Sequence, residues 1–131
     1  MPTRSEVDLT ENSDLDLLIK NKNIRMKLKS LVSKIVKEFD PERIYLFGSY
    51  ARGRSRKHAA MDILVIGETK LRFIERIKSI LKLNKSVLII NPLFYTEKEF
   101  EILKKNNDGF MITVLEEAVV LYQKQAENVD K

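Results

Sequence analysis

Gly48, Ser49, Arg52 and Asp62 are the residues of this chain whose types and spacing suit chemistry. Gly48-Ser49 follows the β-rich run Arg43-Ile44-Tyr45-Leu46-Phe47 and opens residues 49–53, which can form one or two helical turns. A strand-to-helix turn leaves backbone N–H groups pointing outward at a positive end, which suits an anion such as a phosphate. Glycine lets the backbone approach that anion without a clash. The Ser49 hydroxyl adds a donor, and Arg52, one helical turn later, can reach a phosphate or brace the loop. The same residues also describe an ordinary turn with Ser49 as an N-cap. Asp62 is flanked by Met61, Ile63, Leu64 and Val65. A carboxylate in so apolar a strand is costly to bury without a partner. A divalent cation would serve, and so would an arginine from the adjacent loop, Arg52, Arg54 or Arg56.

The elements that must position these residues are legible as patterns. Ile24, Leu28, Leu31, Val32, Ile35 and Phe39 fall on one helical stripe with lysines opposite, so a helix is expected over 22–39. Asp40-Pro41 stops it, because the residue before a proline avoids helical angles. Strands are expected at 43–47, 61–66 and 86–90, the last ended by Asn91-Pro92. Between the second and third, Leu71, Ile74, Ile77 and Leu81 mark an amphipathic helix. Thr96-Glu97-Lys98-Glu99 is a capping box that starts a helix with Phe100 and Leu103 inward. A last helix is expected from about Phe110 to Tyr122, with Met111, Val114, Leu115, Ala118 and Leu121 inward. The result is a small α/β domain with at least three strands and about four helices. Residues 1–20 read as a flexible acidic arm, 21–123 as the domain and 124–131 as a polar tail. Within the arm, Leu15, Leu17, Leu18 and Ile19 suit a short helical turn that docks.

Composition narrows the classes. The 131 residues fit one domain. The absence of cysteine excludes disulfides and thiolate metal sites. The start is acidic and polar rather than a charged start before an apolar run, and runs such as Val87-Leu88-Ile89-Ile90 are too short to span a bilayer. A cytoplasmic protein without membrane association is expected. The net charge of +5 is unevenly spread. Acids dominate the first sixteen residues, whereas 20–37 carries lysines and Arg25 without an acid. Arg52, Arg54, Arg56, Lys57 and His58 form a second basic block. Such blocks suit a nucleotide phosphate or RNA, and they also suit a solvated helix face and a basic loop.

Gly48-Ser49, residues 50–59 and then Ala60-Met61-Asp62 together resemble the nucleotidyltransferase motif of the DNA polymerase beta superfamily: Gly-Ser, ten residues, Asp-x-Asp. The segment is more closely similar to the minimal nucleotidyltransferases, or MNT proteins, many of them antitoxins paired with HEPN ribonuclease toxins. Their pattern, Gly-Ser-x-Ala-Arg-Gly, a short loop, then Ser-Asp-x-Asp-Leu/Ile-x-Val, is matched by Gly48, Ser49, Ala51, Arg52, Gly53, Asp62, Ile63 and Val65. Ala59 and Ala60 depart from it. The lead-in Phe39–Phe47 and the segment Asn91–Thr96 also look like these proteins, so the resemblance covers roughly residues 25–122. It implies a polymerase-beta-like fold with a mixed sheet. It also implies a nucleoside triphosphate held at Gly48, Ser49 and Arg52, and Mg²⁺ held by carboxylates that assist transfer of a nucleoside monophosphate. In the family three carboxylates hold two metals. By resemblance Asp62 is the second acid, and Ala60 stands where the first belongs. The third is expected near Val87–Asn91, where Asn91 is the nearest polar candidate.

Three functions follow as expectations. The first is transfer of a nucleoside monophosphate to a HEPN-type toxin or an RNA hydroxyl, with the site disabled by Ala60. The second is an inactive module that blocks a partner protein by binding it. The third is nucleic-acid binding through the basic helix 22–37 and the loop 52–57.

Overall fold

The computed structural model describes residues 13–56, 59–106 and 108–125, with only the backbone at Ser13 and Asp14. Lys57 and His58 of the basic block, the first twelve residues of the acidic arm and residues 126–131 of the tail lie outside the described residues. The elements run α1 (Ser13–Leu18), α2 (Lys22–Phe39), β1 (Arg43–Phe47), β2 (Met61–Ile66), α3 (Phe73–Leu83), β3 (Ile90–Tyr95), α4 (Glu97–Lys105), α5 (Gly109–Glu117) and β4 (Val119–Gln123).

Helix α2 forms where the stripe predicts, burying Leu28, Leu31, Val32, Ile35 and Val36. The Asn21 side chain accepts from the Ile24 N–H at 3.2 Å and starts the helix. Asp40 ends it in the left-handed region, φ 47°, donating its N–H to the Val36 carbonyl, and Lys124 fastens the Asp40 carboxylate at 3.0 Å. Thr96 and Glu99 build the expected capping box of α4. Within the stretch read as an arm, α1 docks through Leu15, and Ile19 just after it is also buried.

The strands form one mixed sheet in the order β3-β2-β1-β4. β1 pairs antiparallel with β2 and β4, and β2 pairs parallel with β3. Alternation sends Met61, Ile63 and Val65 to one face, where α1, α2 and α3 cover them. Leu64 and Ile66 go to the other, against Phe100, Met111 and Val114 of α4 and α5. The α/β class and mixed sheet are as expected, with a fourth strand and a fifth helix.

Three expected elements change. The third strand is Ile90–Tyr95 rather than 86–90, so Asn91-Pro92 lies inside it instead of ending it. Proline is tolerated there because β3 is an edge strand. The last helix stops at Glu117, and Val119–Gln123 pairs with β1 as a strand. Residues 49–53 do form the expected turn, closed by Arg52 N–H to the Gly48 carbonyl at 3.1 Å and Arg54 N–H to the Ser49 carbonyl at 2.9 Å, without continuing into a regular helix. Helix α3 is present but rotated: it buries Arg76 and Ile80 while Ile74 and Leu81 are exposed. Arg76 is accommodated because it donates to the Phe94 and Leu71 carbonyls and to Glu99. No described helix is long and apolar enough to cross a membrane.

Candidate active site

The ends of β1, β2 and β3 meet α5 around a cleft of about 410 Å³. Phe47, Gly48, Asp62, Asn91, Phe110 and Glu117 are among the residues lining it. Each reaches the cleft for a local reason. Asp62 has the parity of Leu64 and Ile66, so it points to the α5 side of the sheet. The parallel register sets Asn91 directly beside it. Gly48 leaves β1 with φ 76°, a left-handed conformation that favours glycine. A Cβ at that position would fall on the Asp62 carboxylate, so the glycine is what lets the turn pass so close to the acid.

The structure brings together three of the residues singled out from the sequence, Gly48, Arg52 and Asp62, in the lining of one cleft. Ser49 is the next residue of the turn but not part of that lining. Ala60 has the parity of Asp62, precedes β2 and does not line the cleft. Asn91, the neutral candidate for the third acid, donates from Nδ2 to Asp62 Oδ1 at 3.3 Å. Asp62 therefore has an amide for a neighbour where the resemblance asks for a carboxylate. The alternative partner, an arginine, goes elsewhere: Arg52 pairs with Glu117.

Glu117 is the residue that sequence reasoning missed. It is the last residue of α5, and Gly48 N–H donates to its Oε2 at 3.0 Å. Arg52 Nη1 donates to Oε1 at 3.0 Å and to Oε2 at 2.9 Å. A signal was present. A carboxylate in the last turn of a helix opposes the helix dipole, and such a residue asks for a tertiary partner.

The family resemblance implies two magnesium ions. The donor set does not fit a two-metal centre: Asp62 has Asn91 beside it, and Glu117 is engaged by Arg52. Among the described residues no group of three or more His, Cys, Asp or Glu side chains could hold a metal ion. The two basic regions also separate. Arg52 faces the cleft on the α5 side, whereas α2 covers the opposite face of the sheet.

Comparison with known proteins bears on the family and the fold. Residues 26–127 match the model of the family described as polymerase beta, nucleotidyltransferase. A Methanocaldococcus jannaschii protein, named as a candidate protein adenylyltransferase, is 38% identical over 81 residues, 62% of this chain and 78% of that protein. The crystal structure of a candidate nucleotidyltransferase from Sulfolobus solfataricus superposes with a TM-score of 0.54 at 22% identity, over 77% of this chain and 83% of that one. A toxin–antitoxin crystal structure with AMP-PNP superposes more loosely, with a TM-score of 0.47 at 20% identity over 74% of each chain.

Proposed function

The chain belongs to the polymerase beta nucleotidyltransferase family, and from that premise we propose that it binds a nucleoside triphosphate without transferring its nucleotide. The triphosphate lies at Gly48, Ser49 and Arg52, and Asp62 is the one carboxylate left to hold Mg²⁺ together with the phosphates, as magnesium sites often do. The carrying observation is the pairing of Asp62 with Asn91, with Ala60 upstream in place of an acid. Transfer of a nucleoside monophosphate to a protein or RNA hydroxyl asks for more carboxylates than this cleft holds. The name of the Methanocaldococcus jannaschii relative supports ATP as the nucleotide and a protein as the acceptor of the undisabled chemistry.

The test uses ATP labelled at the α-phosphate, with Mg²⁺, and three acceptors: extract proteins, total RNA and a co-produced HEPN-type toxin. The wild-type chain is expected to bind ATP and label nothing, while the double variant Ala60→Asp, Asn91→Asp gains labelling. A labelled acceptor with the wild-type chain overturns the reading of a disabled site.

A second reading, an inactive module that grips a partner protein, has its own support. Phe110, Ile112 and Leu115 of α5 are exposed to 54%, 37% and 36%. Apolar residues grouped on one helix suit a protein interface. Here the HEPN-type toxin is the partner to try, in size-exclusion chromatography with Phe110→Ser as the control. Co-elution that this substitution abolishes would favour this reading. A monomer that ignores the toxin at high concentration counts against it.

A further inference from the structure

Gly48 is held between two carboxylates. The side on which a Cβ would stand faces Asp62, and its N–H is given to Glu117. Glu117 also binds Arg52, but only through Nη1. Arg52 Nε and Nη2 make no hydrogen bond to a described residue, nor do the N–H and hydroxyl of Ser49. The side chain of Glu117 is only 19% exposed, so its contacts rather than solvent fix its position. It connects the end of α5 to the turn after β1, elements 69 residues apart in sequence.

We propose that Glu117 is a positioning residue for the triphosphate, an inference that rests on the nucleotide reading above. It holds the Gly48 amide and one edge of the Arg52 guanidinium, and thereby presents the remaining Arg52 N–H groups and the Ser49 donors to the phosphates. A guanidinium tied at one nitrogen still offers its other donors in a fixed plane. An untethered arginine would have to be ordered at the moment of binding, at a cost in side-chain entropy. A rival role is that of an internal anion that competes with phosphate for the same donors. Glu117 takes the Gly48 N–H and Arg52 Nη1 but leaves Arg52 Nε and Nη2 and the Ser49 N–H and hydroxyl without a hydrogen bond to a described residue, and those remaining donors favour positioning.

The two roles predict opposite signs. Titration calorimetry with Mg-ATP, inorganic tripolyphosphate and adenosine is compared for wild type, Glu117→Asp and Glu117→Gln. Glu117→Asp keeps the charge and withdraws it by one methylene. It is expected to weaken Mg-ATP and tripolyphosphate about tenfold, the scale of a charge-assisted hydrogen bond, and to leave adenosine unchanged. Glu117→Gln keeps the reach without the charge and is expected to fall between Glu117→Asp and wild type. In an Arg52→Ala background, Glu117→Asp is expected to weaken Mg-ATP and tripolyphosphate less than in the wild-type background, since part of its effect runs through Arg52 and the rest through the Gly48 amide. Wild-type affinity in Glu117→Asp overturns the inference and leaves the nucleotide site standing. Tighter phosphate binding in Glu117→Gln also overturns it and identifies Glu117 as the competitor. Equal weakening of adenosine would show a general structural role instead. Absence of saturable Mg-ATP binding by the wild-type chain overturns the nucleotide reading, and this inference with it.

Discussion

Asn91 gives Asp62 a neutral neighbour, and the parallel register sets the two residues side by side. Replacing Asn91 with aspartate would set two like charges side by side. At about 4 Å that repulsion is about 1 kcal/mol at the dielectric of water, and larger where the groups are shielded. The Asn91→Asp variant is therefore expected to melt about 4 °C lower in the presence of EDTA, and to recover on addition of Mg²⁺ or Mn²⁺, which neutralise the pair. Thermal unfolding with and without the cation checks this, and an identical loss under both conditions would refute a cation site at these residues. Gly48 gives a second prediction at the same scale. Gly48→Ala places a Cβ on the Asp62 carboxylate in a left-handed conformation. The backbone alone costs roughly 1–2 kcal/mol, and the clash adds to it. Urea denaturation is expected to show a loss above that backbone figure, with triphosphate binding impaired because the turn and the acid are forced apart.

At the scale of elements, α3, β3 and α4 are joined by an arginine that the sequence pattern would place in solvent. Arg76 is buried, donates to the Leu71 and Phe94 carbonyls and pairs with Glu99 at 2.7 Å. The hydrogen bond from Arg76 holds the Glu99 carboxyl below its ordinary pKa. A carboxylate whose folded pKa is lower than its unfolded one stabilises the fold above the unfolded value. That contribution is lost as pH falls through the folded value. Glu99→Gln is expected to cost about 1 kcal/mol near neutral pH, since the half-exposed Glu99 carboxylate is partly screened by solvent, and to show a shallower acid-side loss than wild type in urea midpoints measured down through the carboxylate range. A parallel acid limb in both proteins would refute the role of the pair. This arginine also shows why some elements were legible and others were not. Helix α2 and the α4 cap were readable because stripe and capping box are local signals. The face of α3 was not, because satisfaction of Arg76 by the distant Phe94 carbonyl and Glu99 carboxylate outweighs the apolar stripe of Ile74 and Leu81. Val119-Val120-Leu121-Tyr122 is β-rich, yet Leu115, Ala118 and Leu121 also fit a helical spacing; pairing with β1 decides for the strand. Pro92 was read as a strand end because the edge position that tolerates it is a property of the sheet order. In the site, Gly48, Arg52 and Asp62 were legible from their spacing, and Asn91 only as the polar residue nearest to where the family resemblance places a third acid. Glu117 comes from the far end of the chain and carries no motif.

Across the whole molecule the sheet divides the charge into two regions. The cleft opens on the side of α4 and α5, where Arg52 is already balanced by Glu117. The lysines of α2 lie on the other side, and Lys27 and Lys34 converge with Lys85 around a separate pocket of about 200 Å³. A helix alone is about 10–12 Å across, and the sheet adds to that, so these lysines stand well beyond the Debye length of about 8 Å at physiological ionic strength. They cannot replace the missing local charge in the cleft under those conditions. At about 0.01 M salt the Debye length grows to about 30 Å and their field reaches the far side. The double variant Lys27→Glu, Lys34→Glu is therefore expected to bind Mg-ATP like wild type at physiological salt and several-fold more weakly at the low salt concentration, whereas Glu117→Asp weakens binding at both. Calorimetry at the two ionic strengths separates these behaviours. A loss at physiological salt from the lysine variant would mean that the triphosphate touches the α2 face, and would move the nucleotide out of the cleft between Gly48 and Glu117.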